Sequence, residues 1–271
     1  MNERIAFIGG GNMASAIIGG LIKQGHPAAS IEVVEPYADA RQGLKDKFGL
    51  VAHGQAGDFL RGVRLVVWAT KPQTFKEATL PVREQVAGAL HLSVAAGIPS
   101  GSIARWLGSE RIVRSMPNTP ALVGLGMTGL YARGGVSAPD RTLIEQVAGT
   151  MGEYLWVEYE AQLDAVTALS GSGPAYVFYF LEAMTQAGTE MGLPAEQAYK
   201  LAVETFRGAS ALAKASSEPP EVLRQRVTSK GGTTYAAITS MDQSQLKVLF
   251  GQALHAAERR ARELGEEFGR D

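Results

Sequence analysis

The sequence predicts an α/β fold: a doubly wound, mainly parallel sheet in the N-terminal part, then an all-helical C-terminal part. Three observations carry this. The stretch from Ile5 to Leu21 passes from a short β-type apolar run through three glycines into an Ala-rich segment with helical spacing of apolar residues. Strand-like runs then alternate with helical segments to about residue 160. From Gln162 onward no convincing strand remains. The expected division is therefore 1–161 and 162–271.

The first stretch reads strand, tight turn, helix. Gly9, Gly11 and Ala14 fit the G-x-G-x-x-G/A fingerprint. The first glycine permits the turn, the second lets backbone approach a pyrophosphate, and the small third residue lets helix pack on strand. The helix N-terminus attracts the anion. Ile8, Gly9, Gly11, Asn12 and Met13 are thus candidate dinucleotide contacts; the alternative is a structural βα turn. Ile31 to Glu35 reads as the second strand, ended by Pro36. Glu35 lies roughly 20 residues beyond the fingerprint, where an acidic residue meets the ribose hydroxyls. Its charge would repel a 2′-phosphate and leans toward NAD, while nearby Arg41 pulls the other way. Otherwise Glu35 is an exposed strand-end residue.

Arg41 to Phe48 looks helical. Leu65 to Thr70 is continuously apolar, as a strand covered on both faces should be, and it ends at Lys71-Pro72-Gln73. Ligands of open α/β sheets sit at the carboxyl ends of strands, so Ala69, Thr70, Lys71 and Pro72 should face the cofactor. Lys71 is alternatively a solvated loop lysine. The strand from Leu90 ends in Ala95, Ala96 and Gly97, small enough for a flat ring to lie close. After Ile112 to Met116, two prolines bracket Asn118 and Thr119 in a stiff loop whose side-chain amide and hydroxyl are held in place. Thr128 to Ala132 and Leu155 to Val157 look like closing strands.

In the C-terminal part, Ser172 and Pro174 suit a helix start. The helix that follows is apolar nearly all round, so it should be buried in a bundle or a subunit interface. Gly192 and Pro194 stop it. Further helices are expected over Ala195 to Lys214, Glu221 to Val227, Tyr235 to Met241 and Gln245 to about Glu267.

Composition narrows the function classes. With 271 residues, 45% hydrophobic and 20% charged, the chain has ordinary globular character. The net charge of −1, with no basic block, argues against nucleic acid or an anionic membrane as partner. With no cysteine, disulfides, thiolate metal sites and thiol catalysis are excluded. Apolar runs are too short or interrupted to span a bilayer, and a cytoplasmic protein is expected.

Read in order, Ala69-Thr70-Lys71-Pro72-Gln73, Met116-Pro117-Asn118-Thr119-Pro120, Ser170-Gly171-Ser172-Gly173-Pro174-Ala175-Tyr176 and Val227-Thr228-Ser229-Lys230-Gly231-Gly232-Thr233-Thr234 resemble the pyrroline-5-carboxylate reductase family. The resemblance runs from the first strand to near the C-terminus. It implies hydride transfer from NAD(P)H to the C=N carbon of 1-pyrroline-5-carboxylate, giving L-proline, the last step of proline biosynthesis. It also implies an N-terminal Rossmann domain and a helical dimerisation domain, with homodimers often assembled into decamers. By the same resemblance Thr234 contacts the substrate nitrogen and acts with Ser229, while Val227, Gly231, Gly232, Thr233 and Asn118 bind substrate, Asn118 also meeting the cofactor. The family commonly prefers NADP. Glu35 stands where many members have a small or neutral residue, and Ala56 where some have an asparagine, which leaves the choice between NADP and NAD open.

The residues agree with that chemistry. A protonated cyclic imine is already electrophilic, so reduction needs hydride, orientation and a proton source, but no nucleophile or metal. None of the four histidines lies in a motif, and no metal-ligand cluster appears. Ser229 and Thr234 flank glycines just before a helix, where backbone N–H groups would bind a carboxylate. Two rivals remain. A hydroxyacid dehydrogenase of similar architecture would carry a lysine on the long helix after the junction, yet none occurs between Lys76 and Lys200. A non-catalytic dinucleotide-binding protein would not need the polar loop from Val227 to Thr234.

Overall fold

β1 (Ile5–Ile8) is buried along its whole length and runs straight into the turn that opens α1 (Asn12–Lys23). The alternation continues through β2 (Ile31–Val34), α2 (Ala38–Phe48), β3 (Leu65–Trp68), α3 (Pro72–Thr79), β4 (Leu90–Ser93), α4 (Ser100–Leu107) and β5 (Ile112–Met116). β6 (Gly126–Ala132), α5 (Ala138–Gly149) and β7 (Gly152–Trp156) complete the sheet. The structure, a computed structural model, describes residues 3–270.

The seven strands take the order β2-β1-β3-β4-β5-β6-β7. Strands β1 to β5 are parallel; β6 is antiparallel to β5, and β7 parallel to β6. In register, Ile8 pairs with Val34 and Trp68, and Trp68 with Ser93. The carboxyl ends of β1 to β4 therefore share one edge. Chain direction across the sheet reverses at β1, which opens the crevice where such sheets take their ligands. Both faces are covered, as the apolar strands require. Ile17, Ile18 and Leu21 of α1 and Ile144 and Val147 of α5 bury one face. Phe75 of α3 and Ile103 and Leu107 of α4 bury the other.

The opposite edge of the sheet is fastened by Asp140. It sits in a capping box with Ser137 at the start of α5, and its carboxylate accepts from Arg64 and Arg111, each at 2.7 Å. Burial opposes its ionisation, but the donors of Arg111, Ser137 and Arg64 outweigh it and hold the carboxyl well below the usual carboxylate range. These residues precede β3 and β5, so the clamp is structural and distant from the ligand edge.

His91 supplies a pH-dependent term. Its ring is buried on β4, where Nδ1 accepts from Trp68 Nε1 at 3.2 Å. Burial first, and Arg111 second, push its pKa down from 6.5 to about 4. Between these values the unfolded chain holds the extra proton, so stability falls as pH drops from 6.5 to 4 and is complete above 6.5. The full effect is about 3 kcal/mol. Denaturant titrations at pH 7 and pH 4 should show a smaller acid loss for His91→Asn than for wild type; parallel pH profiles would show that the histidine contributes nothing.

After β7 come α6 (Gln162–Val166), a π turn over Thr167–Gly171, α7 (Gly173–Glu190), α8 (Ala195–Ala215), α9 (Pro220–Arg226), α10 (Thr233–Gln243) and α11 (Leu246–Phe268). The chain forms two compact units. One runs through Gly173 and takes in the chain from Ala257; the other is Pro174–Ala256. This differs from a division at 161/162. Val166 lies against Gly129 of β6, and Met116 Cε lies on Gly171, so the segment after β7 stays with the sheet. Leu264 packs on Gly97 and Phe268 on the core beside α3 and α4, which brings the end of α11 there too. Helical periodicity in sequence gives the helices but not where they dock.

The second unit has its own contacts. Phe180 meets Phe206 and Phe250, and Tyr176 meets Phe250 edge-on. Among its apolar side chains only Leu181, Ala198 and Ala202 are buried. Val177, Phe178 and Tyr179 of α7 are exposed, so that helix is not shielded within the single chain.

Candidate active site

The ligand edge of the first unit is built around Gly9. Its φ is +98°, and a Cβ there would lie 2.5 Å from the Ala69 carbonyl oxygen, so both conformation and space demand glycine. That approach joins the turn after β1 to the end of β3. Gly11 is different. It is extended, with φ −71°, and a Cβ would meet nothing within 4 Å. It is glycine at a place where no protein atom competes for the space. α1 begins immediately after it without a side-chain cap and without an acidic residue in its first turn. The N–H groups of Asn12, Met13 and Ala14 therefore stand open to an anion.

A second open group lies on the same edge of the sheet. Thr70 Oγ1, at the end of β3, is buried and has no hydrogen-bond partner in the protein. A buried hydroxyl of this kind calls for a polar partner. The open space at Gly11, the open amides and the unpaired hydroxyl together fit a pyrophosphate-containing dinucleotide. Lys71 is exposed and N-caps α3, with Pro72 in the first turn. Ala95 is buried and Ala96 half-buried, whereas Gly97 is turned toward Leu264 and Phe268.

Glu35 does not occupy an exposed strand end. It is buried, and its carboxylate accepts from the Gly10 amide at 2.8 Å and the Tyr37 amide at 2.9 Å. Its charge is directed into the glycine turn. Arg41 donates Nη1 to the carbonyls of Glu35 at 2.9 Å and Pro36 at 2.7 Å, which places a guanidinium at the end of β2. The bracing of Gly10 by Glu35 was not legible in the fingerprint, which assigns the middle glycine no role.

Asn118 is held more firmly than its loop alone predicts. Oδ1 accepts from the Met127 amide at 2.9 Å, and Nδ2 lies 3.2 Å from both the carbonyl and the hydroxyl of Ser170. Both polar ends of its side chain are thus used within the protein, whereas it had been expected to touch substrate and cofactor. Thr119 opens a short 3-10 turn and is exposed.

In the second unit, Val227 ends α9 and is exposed. The Thr228 hydroxyl donates back to the Arg224 carbonyl at 2.6 Å. Gly231 has φ +77° and Gly232 donates to the Ser229 carbonyl at 3.0 Å, which folds the chain into a tight turn. α10 starts at Thr233, two residues earlier than expected, with Gly232 as N-cap and no side-chain cap. The N–H groups of Thr233, Thr234 and Tyr235 are open, and neither the Ser229 nor the Thr234 hydroxyl has a hydrogen-bond partner. A cap role for Thr234 fails on geometry, since it lies inside the first turn.

The comparisons with known proteins agree over the full length. Residues 160–264 match the model for pyrroline-5-carboxylate reductase dimerisation. The pyrroline-5-carboxylate reductase of Pseudomonas aeruginosa is 45% identical over 270 residues, covering 98% of each chain. The chain belongs to the pyrroline-5-carboxylate reductase family. The Haemophilus influenzae member is 41% identical over 97% of this chain and 98% of its own. Residues 4–97 match a model described as NADP oxidoreductase, coenzyme F420-dependent. Among solved structures, the family member from Coxiella burnetii superposes with a TM-score of 0.91 at 38% identity, covering 97% of this chain and 99% of its own. The Plasmodium falciparum enzyme, solved with NADP bound, gives 0.87 at 27% identity, covering 97% and 98%. Like the family, the chain is an NAD(P)H-dependent oxidoreductase with a Rossmann-like sheet and a helical dimerisation region.

Proposed function

We propose that this chain reduces 1-pyrroline-5-carboxylate to L-proline. The sheet unit holds the dinucleotide at Gly9, Gly11, Asn12, Met13, Ala69 and Thr70. The second unit holds substrate at Ser229 to Thr234. The observation that carries this reading is the turn before α10, where open amides and two unbonded hydroxyls stand on the chain that also carries the Gly11 cradle. The amides of Thr233, Thr234 and Tyr235 hold the substrate carboxylate, assisted by the Ser229 hydroxyl. The ring nitrogen is bonded to the carbon bearing that carboxylate, so the Thr234 hydroxyl reaches it, positions it and relays a proton from water. When bound, the reduced dinucleotide supplies the hydride that the imine carbon accepts. Oxidation of NAD(P)H by purified protein on addition of racemic pyrroline-5-carboxylate, with proline formed in equal amount, tests this reading; no turnover would refute it.

Charge placement favours NADPH. The Glu35 carboxylate is occupied by two amides, while Arg41 offers Nε and Nη2 at the end of β2 to a 2′-phosphate. The NADP in the Plasmodium falciparum structure supports this choice. Arg41→Ala should lower kcat/KM for NADPH about tenfold, or about 1.4 kcal/mol, and leave NADH within about twofold. Equal losses with both cofactors would place the 2′-phosphate contact elsewhere. Glu35→Ser removes a brace of the glycine turn as well as a charge, so it should weaken both cofactors.

The exposed apolar side chains of α7 support a homodimer formed through the second unit. Sedimentation should find a dimer or a larger assembly at micromolar protein, and a stable monomer would contradict this. Further assembly into a decamer and residence in the cytoplasm complete the proposal. No helix among the described residues is long and apolar enough to cross a membrane.

A further inference from the structure

We propose that Asn118 is a positioning residue, the loop's half of a latch to Ser170 that sets the 117–120 loop on the ligand edge, and that it makes no contact with substrate. The inference rests on the reductase reading only for its kinetic arm. Four observations support it. First, the loop begins where β5 ends, and β5 is parallel to β4, so the loop leaves the sheet on the same edge as Gly9, Gly11 and Thr70. Second, the amide is engaged at both ends. Nδ2 lies 3.2 Å from both the carbonyl and the hydroxyl of Ser170, and Oδ1 takes the Met127 amide at 2.9 Å. A side chain so engaged is turned to its protein partners.

Third, the partner lies in an irregular element. Ser170 belongs to the π turn Thr167–Gly171, a form that occurs mostly as single turns and frequently at functional sites. The turn is held by Thr167 Oγ1 donating to the Leu163 carbonyl at 2.7 Å and by the Ser172 amide donating to the Thr167 carbonyl at 2.8 Å. Fourth, the two segments meet at a second point, where Met116 Cε lies against the α-carbon of Gly171 in a space that any side chain there would fill. Loop and turn are thus knit by one apolar and one polar contact, and only the polar one is directional. Met116 sets the spacing, and Asn118 sets the rotation of the loop about it. The Ser170 motif, which the sequence singles out without assigning it chemistry, acquires a role as the other half of the latch.

The test is a cycle of Asn118→Ala, Ser170→Ala and the double variant, read in two ways. Hydrogen exchange of the free protein should show residues 117–121 and 167–172 accelerating together in each single variant. In steady state, Asn118→Ala should lower kcat ten- to a hundredfold with NADPH affinity within about threefold, and Ser170→Ala should lower it less, because its carbonyl remains. The double variant should resemble Asn118→Ala within about twofold. Asn118→Asp, which sets an oxygen against the Ser170 carbonyl, should be no better than alanine. Losses that multiply in the double variant would mean that Asn118 acts through a contact of its own, and would overturn the proposal. So would a fall in Tm with unchanged kcat, or exchange that changes in the loop alone. A wild-type protein that fails to reduce pyrroline-5-carboxylate would refute the proposed reaction, and the exchange arm would still decide the latch.

Discussion

Gly11→Asp should abolish NAD(P)H binding while leaving the protein folded. The structure separates the two effects. Gly11 has an ordinary extended backbone, and the first atom of a new side chain meets nothing within 4 Å. The carboxylate would stand at the start of α1, where it would accept from the N–H groups proposed to hold the pyrophosphate. It would also stabilise the helix, since Asp is a favoured N-cap. Bulk and negative charge then occupy the anion's place. The expected loss in affinity exceeds about a hundredfold, or roughly 2.7 kcal/mol, with Tm equal to or above wild type. Fluorescence titration with NADPH beside a thermal melt checks both halves. Unchanged affinity in a folded variant would remove the cofactor from residues 9 to 14. Gly9→Ala is the contrasting case. Its Cβ would lie 2.5 Å from Ala69 O on a backbone at φ +98°, so it should lose stability, with about 1–3 kcal/mol from backbone strain alone.

The contrast between these glycines shows what was legible in the sequence. The fingerprint assigns one glycine to the turn and one to the ligand; Gly9 is packed tightly into the turn, and Gly11 faces open space. The parallel sheet was legible because buried strands leave continuous apolar runs, as in Leu65 to Trp68. The direction of Glu35 was not, because a carboxylate at that position serves a ribose or a backbone amide equally well by spacing alone. Only the fold shows Gly10 and Tyr37 within reach of it. Asn118 and Ser170 lie far apart in sequence, and no local rule pairs a proline-bracketed amide with a serine in a helical segment. The docking of Leu264 and Phe268 with the sheet unit was hidden for a related reason: the last helix has one continuous pattern although its two parts belong to different units.

Thr234→Ala is the second large effect expected. Two roles compete for this residue. As a helix cap its loss would cost about 1 kcal/mol of stability and nothing in chemistry. The structure gives the cap position to Gly232, places Thr234 inside the first turn of α10, and leaves its hydroxyl without a partner in the protein. A polar group that adds nothing to the helix is free to serve the substrate. A threonine is too weak an acid to protonate a free imine by itself, so the part proposed for it is to hold the ring nitrogen and pass a proton from water. Removing it should lower kcat/KM by roughly ten- to a thousandfold, or about 1.4–4 kcal/mol, with dinucleotide affinity intact. Thr234→Ser should keep much of the activity because the hydroxyl remains. Ser229→Ala should act differently, raising KM for the substrate more than it lowers kcat, since it loses a carboxylate contact remote from the reacting bond. Initial-rate measurements over a range of pyrroline-5-carboxylate concentrations separate the two residues. Near-normal turnover by a Thr234→Ala variant with a lowered Tm would return the residue to a structural role.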